Sequence, residues 1–299
     1  MFTVVAITLL FITTTLVRTQ CPIAIAVKNT SQKSGDYSNI MDKFRPGHAD
    51  FTFYQKYGIR DYRGGGRSSG RETLARVAGG EIARMVLENY LPSIKITAST
   101  VEVAGIKATE YDETQIEKNS VRCADEKSAI LMEEKIAEYR KQGDSCGGIV
   151  ECKISGMIAG LGEPVFDKLD AELAKAMLSI GAVKGIEFGS GFESARMTGS
   201  SWNDNMRIKD GKPSFETNHA GGILGGISNG NDIIFRIAIK PVPSIFKKQN
   251  TIDIFDNETE ILIEGRHDIC LCPRIIPVVE AMTAMTILDY YLINRTTTL

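Results

Sequence analysis

Apolar residues along the chain recur with two periods, and each period predicts its own elements. Leu74, Val77, Ile82 and Val86 follow one another every three to five positions, as on one face of a helix. Ser69 and Glu72 have the Ser-x-x-Glu form of a capping box, so this helix is predicted over Ser69–Tyr90. Ser128–Lys141 is amphipathic and stops at Gly143. Phe166, Leu169, Leu173, Met177 and Ile180 mark a further helix closed by Gly181, and Ile275–Asn294 forms a long C-terminal one. Alternating positions or short apolar runs predict strands at Cys21–Asn29, Ile94–Ile106, Gly147–Ile154, Val183–Phe188 and Ile233–Ile239. Ser31–Phe44, with a turn at Gly35-Asp36, and Ala108–Val121 are polar and expected at the surface. Helices and strands mix without a regular βαβ alternation, which predicts an α+β fold rather than a doubly wound sheet. The glycine-dense stretches Gly143–Gly148 and Gly221–Gly230 are short enough for tight loops and too short for tethers, so a single domain is expected over residues 21–299.

Residues 1–20 stand apart. Phe2–Leu16 is apolar and Arg18 is the only charge. The stretch is shorter than a comfortable membrane span and lacks the basic start of a signal peptide; its Thr, Val and Ile content also suits a buried strand.

With 299 residues, 43% hydrophobic and 24% charged, the chain has globular composition and length for a large core. A net charge of −2 without a long basic run argues against general nucleic-acid binding, and no membrane partner is expected. A site for an anion must therefore gather positive charge locally. The six cysteines (Cys21, Cys123, Cys146, Cys152, Cys270 and Cys272) show no dense disulfide spacing, which predicts reduced thiols. Cys270 and Cys272 lie two apart, but no second pair at zinc-ligand spacing accompanies them, which argues against a metal.

Charge is gathered at Arg63–Glu72, which reads RGGGRSSGRE. Glycines let backbone N–H groups approach a ligand, arginines offer flat double donors to phosphate or carboxylate, and the stretch leads into a predicted helix N-terminus. Together these suit an anion site better than an ordinary surface loop. The spacing is neither a Walker loop nor a G-x-G-x-x-G turn. Of the three histidines, His48, His219 and His267, none has a second histidine at metal-ligand spacing. His48 sits in Arg45-Pro46-Gly47-His48-Ala49-Asp50, where an arginine can hold an anion and a carboxylate can fix the imidazole tautomer. Arg266-His267-Asp268 lies between the strand-like Ile261–Ile263 and the C-terminal helix, a junction where functional groups collect.

RPGHADFTFYQKYGIRDYRGGGRSSGRET resembles the central signature of the chorismate synthase family. GDSCGG, NHAGGILGGISNG and GRHDICLCPRIIPVVEAM resemble its later blocks, in the family's order, from about Cys21 to the C-terminus. The resemblance implies a β-α-β sandwich assembled as a homotetramer. It also implies conversion of 5-enolpyruvylshikimate 3-phosphate to chorismate by 1,4-anti elimination of phosphate, with reduced FMN required and NADPH a candidate flavin reductant. His48 matches an active-site histidine, and Asp268 an aspartate assigned to proton transfer beside the flavin. Arg67, Ser68, Ser69, Gly181, Ala182, Gly225, Lys240, Pro241, Val242, Pro243, Ser244 and Arg266 match flavin contacts. Arg45, Ser69, Arg71 and Arg266 match substrate contacts. Gly181, Val242 and Pro243 replace residues with hydrogen-bonding side chains, and Ile269 stands where the family usually has proline. The family carries roughly eighty further residues upstream, including a Ser-His segment and an Arg-rich loop. No equivalent of these appears here, so an N-terminally truncated sequence joined near Cys21 to an unrelated stretch is expected. A non-catalytic remnant that keeps flavin binding or oligomerisation is the alternative reading. Reduced cysteines and the pathway imply a cytoplasmic location, with an apolar leader for export or an organelle as the rival.

Overall fold

Gly148–Ser155 shows how the pattern becomes a sheet. Val150, Cys152 and Ile154 are buried, whereas Ile149, Glu151 and Lys153 between them are only half-buried on the opposite face. Ile233–Ile239 repeats the device with Ile233, Phe235, Ile237 and Ile239 inward.

The computed structural model describes residues 23–27, 40–62, 66–263 and 267–297. Its elements belong to one unit, Lys33–Leu299. In chain order they are α1 (Asp50–Tyr57), α2 (Thr73–Tyr90), β1 (Lys95–Val103), β2 (Ile106–Lys107), α3 (Glu126–Lys141), β3 (Gly148–Ser155), α4 (Leu169–Leu178), β4 (Val183–Phe188), α5 (Gly199–Trp202), β5 (Met206–Lys209), β6 (Lys212–Phe215), β7 (Ile223–Leu224), β8 (Ile227–Ser228), β9 (Ile233–Ile239), β10 (Gln249–Ile252), β11 (Glu258–Ile261) and α6 (Cys272–Thr297). Five strands form an antiparallel sheet in the order β2-β1-β3-β9-β4; β5–β6, β7–β8 and β10–β11 are separate hairpins. The register sets Cys152 between Ala98 and Phe235, so the inward residues of three strands lie in one row.

Helices cover that row. Cys152 Sγ lies 3.8 Å from Thr283 Oγ1 of α6, and α6 packs in turn on α2 and α4. By length and hydropathy α6 resembles a membrane span, but ten of its residues are buried in the core. The α2–α6 contact is close because Gly80 has no side chain: a Cβ there would lie 2.4 Å from the Ala281 Cα.

The α+β fold stands, and several boundaries move. Residues 23–27 carry no strand; the remainder of Cys21–Asn29 lies outside the described residues. The helix predicted from Ser69 begins at Thr73, after a 3-10 turn at Gly70–Glu72. Ser69 Oγ accepts from the Arg71 amide at 3.4 Å, but Glu72 turns to Arg76 instead of closing the box. On α2 the buried residues are Gly80, Ala83 and Leu87, while Leu74 is exposed; small residues fill the tight contact where larger ones were expected. Phe166 is 89% exposed and lies before α4. Past α4 the left-handed backbone falls on Ala182 (φ 76°), not on Gly181. The strand predicted over Ile94–Ile106 divides at a turn through Ala104 and Gly105, and Ile116 and Val121 of the polar stretch are buried.

Candidate functional site

The Arg45–Asp50 turn is built around a buried carboxylate. Asp50 opens α1 and is 2% exposed. Its Oδ2 lies 2.7 Å from Arg45 Nε and 3.1 Å from Arg60 Nη1; its Oδ1 lies 2.9 Å from both Arg45 Nη2 and His48 Nδ1. Burial pushes this carboxyl up, but the hydrogen bonds from Arg45 and His48 outweigh it and hold Asp50 well below the usual carboxylate range. A carboxylate only accepts, so the shorter contact gives the Nδ1 proton of His48 to Asp50, with the Arg45 Nη2 donor 3.1 Å from the same nitrogen. Arg45 spends Nε and Nη2 on Asp50, which leaves its Nη1 edge. Arg60 donates to the carbonyls of Ile40 and Lys43, and its guanidinium lies 5.3 Å from the Phe44 ring centre.

Beside this turn lies a cavity of about 380 Å³, lined by Ala49, Phe53, Arg67, Ser68, Ser69, Gly70, Glu72, Arg76, Ser179 and Gly181. Six of these come from the arginine–serine loop and the start of α2, and two follow α4. Arg67 is exposed and has no acidic partner among the described residues. Arg76 reaches across, with Nε 3.0 Å from Glu72 Oε2 and Nη1 2.7 Å from Ser179 Oγ.

Lys240–Ser244 joins this site through contacts distant in sequence. The Lys240 amide donates to Ala182 O at 3.0 Å, and Lys240 Nζ donates to Gly47 O next to His48. Burial, with Lys184 nearby, lowers the Lys240 pKa. A Cβ at Gly47 would lie 3.4 Å from Pro243, and Pro241 packs on Gly147 in the same way. Val242 supplies its carbonyl to Ser145 Oγ at 2.7 Å, and Ser244 is buried.

Asp268 is reached through that same turn. The Cys146 amide, next to Ser145, donates to Ile269 O at 2.9 Å. Burial raises the Asp268 pKa, and Arg274 of α6, 2.8 Å away, opposes the rise. Ile269 is buried, so the residue replacing the family's proline serves the core. The His267 ring packs on Phe246 with centres 5.6 Å apart.

Arg45, His48, Arg67, Ser68, Ser69, Gly181, Ala182 and Lys240–Ser244 are thus gathered around one region. Arg71 is exposed beside the loop. Gly225 is not gathered: Gly226 O accepts from the Leu169 amide at the start of α4, whereas Gly181 follows its end, about 15 Å along the helix. Arg266 lies outside the described residues. Sequence reasoning missed Arg60 as a partner of Asp50 and Arg76 as a lining residue. The Glu72–Arg76 spacing of four was a signal for the latter.

The chorismate synthase family profile matches residues 13–292, so the match begins upstream of Cys21 and includes part of the apolar stretch expected to be unrelated. The chain is 51% identical over 285 residues to chorismate synthase of Phocaeicola vulgatus, covering 94% of this chain and 79% of that protein. It is 52% identical over 279 residues to that of Methanosarcina mazei, covering 92% and 76%. A crystal structure of chorismate synthase superposes with a TM-score of 0.68 at 28% identity, covering 82% of this chain and 70% of that one. A profile spanning nearly the whole chain, relatives half identical to it and a shared fold converge: the chain belongs to the chorismate synthase family, lyases of aromatic amino-acid biosynthesis.

Proposed function

We propose that the chain converts 5-enolpyruvylshikimate 3-phosphate to chorismate with reduced FMN held in the cavity beside His48. The observation that carries this reading is the convergence of Arg67, Ser68 and Ser69 with Gly181 on a cavity whose size suits a small molecule. Its donors suit the cofactor. Arg67 offers a guanidinium with no acidic partner among the described residues and the serines offer hydroxyls, while Gly181 presents no side chain to obstruct a flat ring. Lys240 and the buried Ser244 complete the set on the adjoining turn.

Reduced FMN, when bound, supplies an electron-rich ring for an elimination with no net redox change. The chain's own residues bind, orient and exchange protons. Arg45 and Arg71 offset the polyanion's charge and fix its orientation. His48, with Nδ1 held by Asp50, presents Nε2 for proton exchange. Asp268, with its pKa raised by burial, holds a proton to higher pH than an exposed carboxyl would. A homotetramer and a cytoplasmic location form part of the same proposal. Five buried free thiols among the described residues support a reducing compartment. Light scattering tests the tetramer.

The deciding experiment is anaerobic turnover of 5-enolpyruvylshikimate 3-phosphate with chemically reduced FMN. Chorismate release is expected, falling at least about a hundredfold in His48→Ala with FMN still bound. FMN binding without product in the unaltered chain would overturn the catalytic assignment and leave a cofactor-binding remnant.

A further inference from the structure

Three cysteines meet behind Asp268, and the reaction proposed above uses none of them. Cys146 precedes β3, Cys272 opens α6, and Cys270 stands two residues after Asp268; all three are buried in the main core. The Cys146 amide donates to Ile269 O at 2.9 Å, so the two chain segments run side by side at this point. The carbonyl that accepts this bond belongs to the peptide joining Ile269 to Cys270, so Cys146 and Cys270 are neighbours across it. The Cys270 thiol also interacts with the thiols of both Cys146 and Cys272.

The three are not equivalent. Donation from Cys146 and Cys272 lowers the Cys270 thiol below the ordinary range, and the same contacts together with burial raise the other two. Cys270 is also the least enclosed, 9% exposed against 4% for Cys146 and none for Cys272. Cys272 packs its sulfur against the backbone of Gly148, where a Cβ would lie 2.7 Å from it. Among the described residues no three ligating side chains are arranged for a metal ion. The cluster therefore sets Cys270, the thiol with the lowered pKa, next to Cys146, with Cys272 as the third thiol of the group.

We propose that Cys146 and Cys270 form a reversible disulfide when the protein meets hydrogen peroxide, and that this bond switches off the site containing Asp268. Cys270 sulfur attacks one peroxide oxygen, the O–O bond breaks, and the released hydroxide takes a proton and leaves as water. Cys146 sulfur then attacks the resulting sulfenic acid: the S–S bond forms, the S–O bond breaks, and the hydroxyl leaves as water with the Cys146 proton. Two thiols lose two electrons, and one peroxide becomes two waters. The new bond ties the Asp268 segment to the turn that carries Ser145, whose hydroxyl holds the Val242 carbonyl of the cofactor turn. The switch, though not the disulfide, rests on the proposed function.

The full chain, treated with stoichiometric hydrogen peroxide and alkylated, is digested and its peptides are mapped by mass. A Cys146–Cys270 cross-link reversed by dithiothreitol is expected, with Cys123 and Cys152 still alkylated. Cys146→Ser should stop at a sulfenic acid on Cys270 that dimedone traps. A different pair linking first, or Cys270 remaining a thiol while other cysteines oxidise, would overturn the site. Anaerobic turnover is expected to fall at least tenfold on cross-linking and to recover with dithiothreitol, while Cys146→Ser forms no cross-link to be reversed. Full cross-linking with unchanged turnover would overturn the switch. A reduced chain with no turnover would defeat the functional reading alone, because mapping by mass needs no activity.

Discussion

Asp50 holds Arg45, His48 and Arg60 with two oxygens, and its removal would leave buried positive charge without a partner. Asp50→Asn keeps the shape and removes the charge, so a loss of about 3 kcal/mol is expected in urea unfolding at pH 7. An unchanged midpoint would show that the two arginines do not depend on the carboxylate. The pH dependence has a definite sign. Asp50 is held below its unfolded value of about 3.9, so its stabilisation is complete above roughly pH 4 and is lost as pH falls toward the folded pKa. Urea midpoints between pH 5 and pH 3 should drop in the natural chain and drop less in Asp50→Asn. Asp268 moves the opposite way. Burial raises its pKa against the pull of Arg274, so Arg274→Gln should raise it further. A limb of kcat/KM governed by Asp268 should then move to higher pH in the variant; movement to lower pH would remove Arg274 from that role.

Element boundaries were legible where one face of an element is buried and the other is wet. β3 was read within a residue at either end, and β4 and β9 coincide with their predicted runs, because Val150, Cys152 and Ile154 alternate with half-buried neighbours and Ile233–Ile239 repeats the pattern. Legibility failed where small residues do the packing. Leu74, Val77, Ile82 and Val86 marked α2, whereas its buried residues are Gly80, Ala83 and Leu87, none of them in that series. The capping box failed for a related reason: the Ser69 amide already donates to Gly66 O, so Glu72 had no donor to return to. Gly80→Ala should therefore be costly, although alanine favours helices by up to about 1 kcal/mol. The added Cβ would meet the backbone of Ala281 at 2.4 Å, which one rotamer change cannot relieve. A net destabilisation of about 1–3 kcal/mol is expected in urea unfolding. Gly199→Ala, whose Cβ would meet nothing within 4 Å, should stay within about 0.5 kcal/mol. Equal behaviour of the two variants would show that α2 and α6 are free to separate.

At the scale of the molecule, the site is a meeting of segments that the sequence keeps far apart. The arginines and serines of 67–71 and His48 between Arg45 and Asp50 were legible by their chemistry, and the Lys240 turn was legible through the family resemblance alone. Their meeting was not, because the Lys240–Gly47 bond joins residues 193 positions apart and exists only once β9 lies in the sheet. A ligand held by these segments should therefore stabilise the whole fold rather than one loop. At a hundred times its Kd, FMN should add about 2.7 kcal/mol, which for a chain of 299 residues corresponds to roughly 4 °C in Tm. Arg67 separates binding from folding. It is exposed and has no acidic partner among the described residues, so Arg67→Ala should leave the ligand-free Tm within about 1 °C. Loss of a charge-assisted contact weakens binding by about tenfold or more, so at the same FMN concentration the thermal shift should fall to about half. A full shift in Arg67→Ala would place the flavin away from the arginine–serine loop. A reduced ligand-free Tm would give Arg67 a structural role that its exposed position does not suggest.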